Sequence, residues 1–409
     1  MKKFLLMAAI IATAITSAQE TVNVSLGTQY ANEVYYKLDT QLETSFPANS
    51  WDVAFLRISN FDLAVRVNDG IGTKVYEAAN TPAAYNSVDV ADQTGWTELV
   101  NSDTDWENGA FMQGSASYGF GDYNPATNTV EGTIVFVLEY ADGTFSKFFI
   151  ESYFGAYTFK YANWDGASWS ADATETVANT SNPDNIYNYY SLQNNQAVVA
   201  EPAEGDWDFV FRKYVTFLDP PGQYYNVSGA LHNPNVTVAQ NQETGPADPN
   251  GLSYGEEINT IGYDWKSFTG VWAIDSEQKY YVKYPNNTVY RIYFTDFEGS
   301  STGNLTFIME DVTGLLGLEN VTENVSFGMY PNPATNGQIS IVYENTAATT
   351  AENKVTIYAL SGAEVLSAEV SNTNGFFNKT IDVSSLQSGI YMVSFQSGNA
   401  TVTKKLIIR

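Results

Sequence analysis

Beyond residue 18 this chain of 409 residues alternates apolar and polar side chains with a period of two, and nowhere carries a helix-length amphipathic stripe. That pattern restricts the fold to sheets, because successive side chains of a strand point to opposite faces. In TVNVSLG, Val22, Val24 and Leu26 alternate with polar neighbours, and NEVYYKLDT follows as a second strand. An aromatic fraction of 14% points the same way, since flat rings pack across neighbouring strands.

Two stretches repeat a small theme. WDVAFLR begins at Trp51 and WDFVFRKY at Trp207. Alternation predicts that Trp51, Val53 and Phe55 share one face, with a partner strand over residues 61–67. Each theme is followed by a long excursion and then a charged, aromatic hairpin. The first hairpin turns at Asp142 and Gly143, the second at residues 285–287. A closing strand ends each series, AYTFKY in one and NLTFIME in the other. The expectation is two related halves, with Trp51 and Trp207 as equivalent anchors.

The first 18 residues, MKKFLLMAAIIATAITSA, combine two lysines, an apolar run and small residues at the end. This is the pattern of a secretory signal. No later stretch reaches the roughly 20 apolar residues of a membrane helix. With no cysteine, disulfides, thiol catalysis and cysteine–zinc sites are excluded, and an exported body must be held by its core. Residues 19–326 hold 12 Lys or Arg against 41 Asp or Glu, whereas residues 327–409 hold 5 of each. Such an acidic body repels phosphate backbones and anionic membranes, so nucleic acid is not an expected partner.

Residues 311–326 read as a linker into a last set of short strands spaced by Gly, Asn and Ser turns, the spacing of a small β-sandwich. MYPNPATNG, VTIYALSG, IDVSSLQSGIYMVSF and the terminal KKLIIR occur there in order. In these pieces residues 327–409 resemble the type A C-terminal sorting domain of type IX secretion in Bacteroidota. The resemblance implies an Ig-like sandwich, the secretion machinery as partner, and passage through the periplasm to the medium or the outer cell surface. It marks Tyr330, Pro331, Asn332, Pro333, Gly389, Lys404 and Lys405 as the sorting motif.

Residues 19–310, through WDVAFLR with VRVNDG, WDFVFRKY, DGTFSKFFI and NTVYRIYF, resemble the HmuY-like proteins. That resemblance implies an all-β, antiparallel, sheet-rich body and a haem-type ligand held between two histidines. This chain has one histidine, His232, so bis-histidine ligation within it is excluded. Met112, in NGAFMQG, is the remaining candidate for an axial ligand, because Met309 sits in an apolar strand. Asp103, Asp105 and Glu107, in NSDTDWENG, offer alternate oxygens to calcium, although the spacing is not that of an EF-hand loop. Asp52 and Asp208 follow the two tryptophans and form a conceivable carboxylate pair. No phosphate loop, HExxH or GxSxG is present. The leading expectation is an exported, non-enzymatic binding protein for a haem-like or other small nutrient or glycan ligand. A structural or adhesive surface protein and a secreted polysaccharide hydrolase are the alternatives.

Overall fold

The computed structural model describes residues 19–316, 325–345, 353–370, 375–397 and 400–409. The signal segment and much of the linker lie outside the described residues. The chain divides into two compact units between Thr313 and Gly314, and the sheets of both are antiparallel. No helix among the described residues is long and apolar enough to cross a membrane.

The larger unit holds two lobes built to one plan. In the first, a sheet runs Ala173–Ala178, Ala156–Trp164, Phe145–Tyr153, Val135–Glu139, Lys74–Ala79 and Thr97–Leu99. It faces a four-stranded sheet of Gln196–Val198, Tyr187–Ser191, Val53–Leu56 and Val65–Val67. In the second, Glu20–Ser25, Asn304–Asp311, Val289–Phe297, Gln278–Lys283 and Thr237–Gln242 form the large sheet. Gln223–His232, Phe209–Leu218, Asn32–Lys37 and Leu42–Pro47 form the small one. The lobes therefore differ from the halves read along the chain. Strands from residues 173–198 complete the first lobe, and strands from residues 20–47 cross the whole body to complete the second.

Each lobe has its own core, and a third core lies between them. Phe55, Phe136, Phe148 and Tyr157 fill the first lobe, and Phe209, Phe294, Phe307 and Trp265 the second. Trp265 stacks on Phe294 at 3.7 Å. The outer faces of the two small sheets pack together through Tyr35, Ala54, Tyr189, Val210 and Leu231. This is why Val53–Leu56 is buried along its whole length. Val53 and Phe55 enter the first core, whereas Ala54 and Leu56 enter the inter-lobe core. Trp51 also lies in the inter-lobe core, on the opposite side from Val53 and Phe55. The expected shared face fails because the strand begins only at Val53, after a bend at Asp52. Likewise only Val65–Val67 pairs with Val53–Leu56, and residues 61–64 form a loop.

The two tryptophan–aspartate sites share their backbone bonds and their asparagine side-chain bond, and differ in what their carboxylates accept. Trp51 meets the edge of Tyr189 at 5.0 Å, and Trp207 meets Tyr35 at 5.2 Å. Asp52 N–H donates to Tyr190 O (3.0 Å) and Asp208 N–H to Tyr36 O (2.8 Å). Asn68 N–H donates to Asp52 O, and Asn233 N–H to Asp208 O. The amide of Asn68 reaches Ala48 O (2.8 Å), and that of Asn233 reaches Glu204 O (2.9 Å). Both aspartates are buried, and each carboxylate closes the turn after a Tyr-Tyr strand. Asp52 accepts from the Ser191 hydroxyl and from the backbone and side-chain N–H of Gln193. Asp208 accepts from Lys37 Nζ (2.8 Å), Leu38 N–H (2.7 Å) and the Tyr284 hydroxyl. Tyr-Tyr-Lys-Leu at 35–38 and Tyr-Tyr-Ser-Leu at 189–192 are the sequence trace of this correspondence.

The smaller unit is a two-sheet sandwich. Val325–Tyr330, Gln338–Asn345 and Gly375–Asp382 make one sheet. Glu364–Val370, Asn353–Ala359, Gly389–Ser397 and Ala400–Ile408 make the other. Ile341, Ile357, Val393, Phe395 and Leu406 form its core.

Replacing Asp52 or Asp208 by alanine strips a buried turn of its acceptor. Each change is expected to lower the stability of the secreted chain by about 2–4 kcal/mol. Urea unfolding of both variants checks this, and midpoints equal to the parent's would refute the capping role.

Candidate functional site

The residues singled out by sequence have structural partners. His232 is fully buried, with Nδ1 3.0 Å from Asn233 O and Nε2 2.8 Å from Glu257 O. Burial pulls its pKa below the ordinary histidine value, against the raising effect of those two carbonyls. Met309 lies in the second core, where the Tyr36 hydroxyl approaches its sulfur at 3.9 Å. Met112, in the short turn Ala110–Gln113, is half-buried and packs against both the first core and the inter-lobe core. Asp165 accepts Ala167 and Ser168 N–H in a turn. Asp52 and Asp208 are both consumed by their turns, so neither is offered to a substrate.

The acidic loop at 102–107 is organised by protein groups. The Arg66 guanidinium, from the strand Val65–Val67, donates to Asp105 O, Trp106 O and Ser102 O. Trp106 Nε1 donates to His232 O at 2.8 Å. Asp103 then accepts from the Thr216 hydroxyl and the Asn259 amide, while Asp105 accepts Glu107 N–H. Asp103 is thus separated in role from the other two. Asp105 and Glu107 instead line a cleft of ≈ 540 Å³ with Glu204, Glu256 and Glu257. Burial, then the charges of Asp105 and Asp62, raises the Glu107 pKa. No group of three or more His, Asp or Glu among the described residues is placed to hold a metal ion.

Half of the body's twelve Lys and Arg are buried and five more are half-buried. Of the body's Lys and Arg only Lys74 is exposed. Arg212 pairs with Glu33 at 3.0 Å and lies over the Trp51 ring at 5.4 Å. Arg291 holds Glu310 at 2.6 Å and also Glu243. Lys266 is buried under Trp265, and desolvation lowers its pKa to about 7. The outward face of the body is left anionic, so phosphate-rich ligands and anionic bilayers are disfavoured.

An aromatic cleft of ≈ 490 Å³ opens at one end of the first lobe. Its walls include Phe61, Tyr118, Tyr123 and Phe154, exposed by 83%, 42%, 48% and 54%. No charged side chain lines it; Asn60, Thr127 and Asn128 supply the polar groups. The loop carrying Phe61 is pinned by the Tyr153 hydroxyl, which donates to Ser59 O (2.8 Å) and Asp62 O (3.0 Å). Gly155, at φ +68°, carries the chain away from Phe154, and a Cβ there would stand 2.8 Å from Asn60 Oδ1. Tyr118 and Tyr123 come from the neighbourhood of the hairpin Gly121–Asn124 and Thr129–Gly132. Size and lining fall within the range of small-ligand sites. Sequence could not assemble this cleft, because its walls come from three separated segments.

In the smaller unit the motif asparagine is structural. Asn332 donates to Lys405 O (2.6 Å) and accepts Ile407 N–H (2.9 Å), fastening the YPNP segment to the last strand. Lys404 Nζ donates to Phe327 O at 2.5 Å. Gly389 pairs with Ile408. Tyr330 is half-exposed, and its hydroxyl accepts from the Asn378 amide.

Residues 328–409 match the family model described as secretion system C-terminal sorting domain. The module associates with the type IX secretion machinery and directs the chain out through that pathway. No curated protein matches the chain. Among solved structures, Escherichia coli alpha-2-macroglobulin activated by porcine elastase aligns at 9% identity with a TM-score of 0.16. That alignment covers 96% of this chain and 34% of the other, so the chain spans about a third of its length.

Glu201 carries a pH signature of the inter-lobe core. Burial raises its pKa from 4.5 to about 8, although Tyr187 N–H and the Tyr189 hydroxyl donate to it. Between those values the unfolded chain ionises while the folded carboxyl keeps its proton. Stability therefore falls as pH rises, by roughly 1.4 kcal/mol per pH unit. Glu201→Gln is expected to remove that slope, so that the variant matches the parent near pH 4.5 and exceeds it at pH 8. Urea midpoints across this window test it, and a difference independent of pH would contradict the assignment.

Proposed function

We propose that the body is a non-enzymatic binding protein, exported by its sorting domain, that holds a small neutral ligand with flat faces in the aromatic cleft. The supporting observation is the gathering of Phe61, Tyr118, Tyr123 and Phe154 around ≈ 490 Å³ with no charged lining group. Exposed rings are costly in water, and four on one concavity indicate an occupant. Ring faces offer dispersion and C–H contacts, and the amides of Asn60 and Asn128 offer orientation. The resemblance of the strands to HmuY-like proteins adds a haem-type ligand to the classes this cleft is tested for. Neither His232 nor Met112 lines it, so any such ligand is held here by its faces.

A second reading, as an adhesive surface protein, has one observation in its favour. The hairpin Lys266–Phe268 and Trp272–Ile274 exposes Phe268 by 61% and Val271 by 70%.

The test is titration of the secreted chain with Nile red, a neutral apolar dye, and in parallel with hemin followed by its Soret band. Nile red emission is expected to rise on binding, and the double variant Phe61→Ser/Phe154→Ser is expected to weaken binding about tenfold. Both side chains are exposed, so the variant should fold. Dye binding that ignores the substitutions, or is absent from the parent, would sink the proposal. A Soret shift that the same variant removes would assign the haem-type class.

A further inference from the structure

A second cleft carries a chemical signature of its own. The strands Phe209–Leu218 and Gln223–His232 outrun their sheet, since pairing with Asn32–Lys37 covers only Phe209–Phe211. From Arg212 outward they pair with each other alone as an arm. The arm lands on the first lobe at the turn Asp69–Ile71. A Cβ on Gly70 would lie 2.3 Å from Lys213 O, so only glycine lets the two backbones meet. Asn226 Nδ2 donates to Asp69 O (3.0 Å) and Gly70 O (3.1 Å). The Thr216 hydroxyl adds a second tether, donating to Asp103 at 2.6 Å.

Between the arm and the first lobe lies a cleft of ≈ 450 Å³. Thr73 lines it, is 97% buried by its 3% exposure, and its hydroxyl has no partner. Asn226 also lines it, and its Oδ1 is likewise without a partner. Asp69 is a third lining residue, only 6% exposed, and acts on Arg212 through space without forming an ion pair. No described group donates a hydrogen bond to its carboxylate. Buried polar groups of this kind call for a partner from solvent or ligand. Tyr224 walls the cleft on the strand face it shares with Asn226, Tyr225 borders it from the other face, and each is more than half exposed.

This inventory selects one chemistry. A carboxylate and an amide oxygen need donors, and a hydroxyl can give or take. Lys74 and Glu98 in the lining pair at 3.6 Å and offset each other, so Asp69 is left to disfavour anions. A ligand rich in hydroxyls, uncharged, with C–H faces for tyrosine rings and about the size of a disaccharide satisfies all of them. We propose that this cleft between arm and first lobe is a saccharide-binding site, with Asp69, Thr73 and Asn226 taking hydroxyl groups and Tyr224 packing on a sugar face. It is separate from the aromatic cleft and does not depend on it.

The secreted chain should be titrated with maltose, cellobiose, lactose and chitobiose by saturation-transfer NMR and calorimetry, with spermidine as a cationic control. At least one sugar is expected to saturate in the roughly millimolar range. Tyr224→Ala and Asp69→Asn are each expected to weaken that sugar about tenfold, while Phe61→Ser/Phe154→Ser leaves it unchanged. Tyr224 is exposed, so its variant keeps the test informative even if the Asp69 variant loses its fold by circular dichroism. The proposal is overturned if no sugar saturates at about 20 mM, if spermidine binds and the sugars do not, or if sugar binding survives Tyr224→Ala unchanged.

Discussion

The carboxylate of Asp208 is the point on which the second lobe depends. It draws Lys37, Leu38 and Tyr284 to one buried spot, and so joins strands early in the body to those near its end. Burial alone raises its pKa, and the donors pull it back. A carboxylate so enclosed is stable only with its partners in place, because an unpaired buried charge is strongly unfavourable. Asp52 does the same for the first lobe with neutral donors. The two lobes are thus closed by the same device, applied to strands drawn from different parts of the chain.

Between the lobes, apolar packing and paired charge share one interface. Trp51 and Trp207 fill it, and the Glu33–Arg212 pair lies against Trp51. Burial pushes the Glu33 carboxyl up, and Arg212 brings it part of the way down. The body spends its few cations on such internal tasks. Its exterior therefore keeps the excess of carboxylates uncompensated, which suits a protein released into water and ill suits one that rests on anionic lipid or nucleic acid.

Both clefts depend on this arrangement in different ways. The aromatic cleft belongs to the first lobe and rests on Tyr153 holding the loop at 59–62. The saccharide cleft exists only because the arm of the second lobe lands on Asp69–Ile71 of the first. A change in the inter-lobe core would disturb the second while sparing the first.

The order of residues by itself determined a β fold, a body without disulfide support, a strongly acidic composition and a self-contained sorting module with its YPNP motif. Period-two alternation and composition are local properties, and they survive any choice of strand partner. The tertiary structure decided the partners: Val53–Leu56 with Tyr187–Ser191, and Phe209–Phe211 with Val34–Tyr36. Alternation fixes which face a side chain takes, not which strand lies beside it. For the same reason the pattern placed Trp51 with Val53, whereas the bend at Asp52 sends the indole into the inter-lobe core. Asp103, Asp105 and Glu107 looked like one set because they are close in sequence, yet Arg66 and Trp106 shape their loop and divide their roles. Thr73, Asp69 and Asn226 carried no signal at all, since only packing across the arm brings them to one cavity.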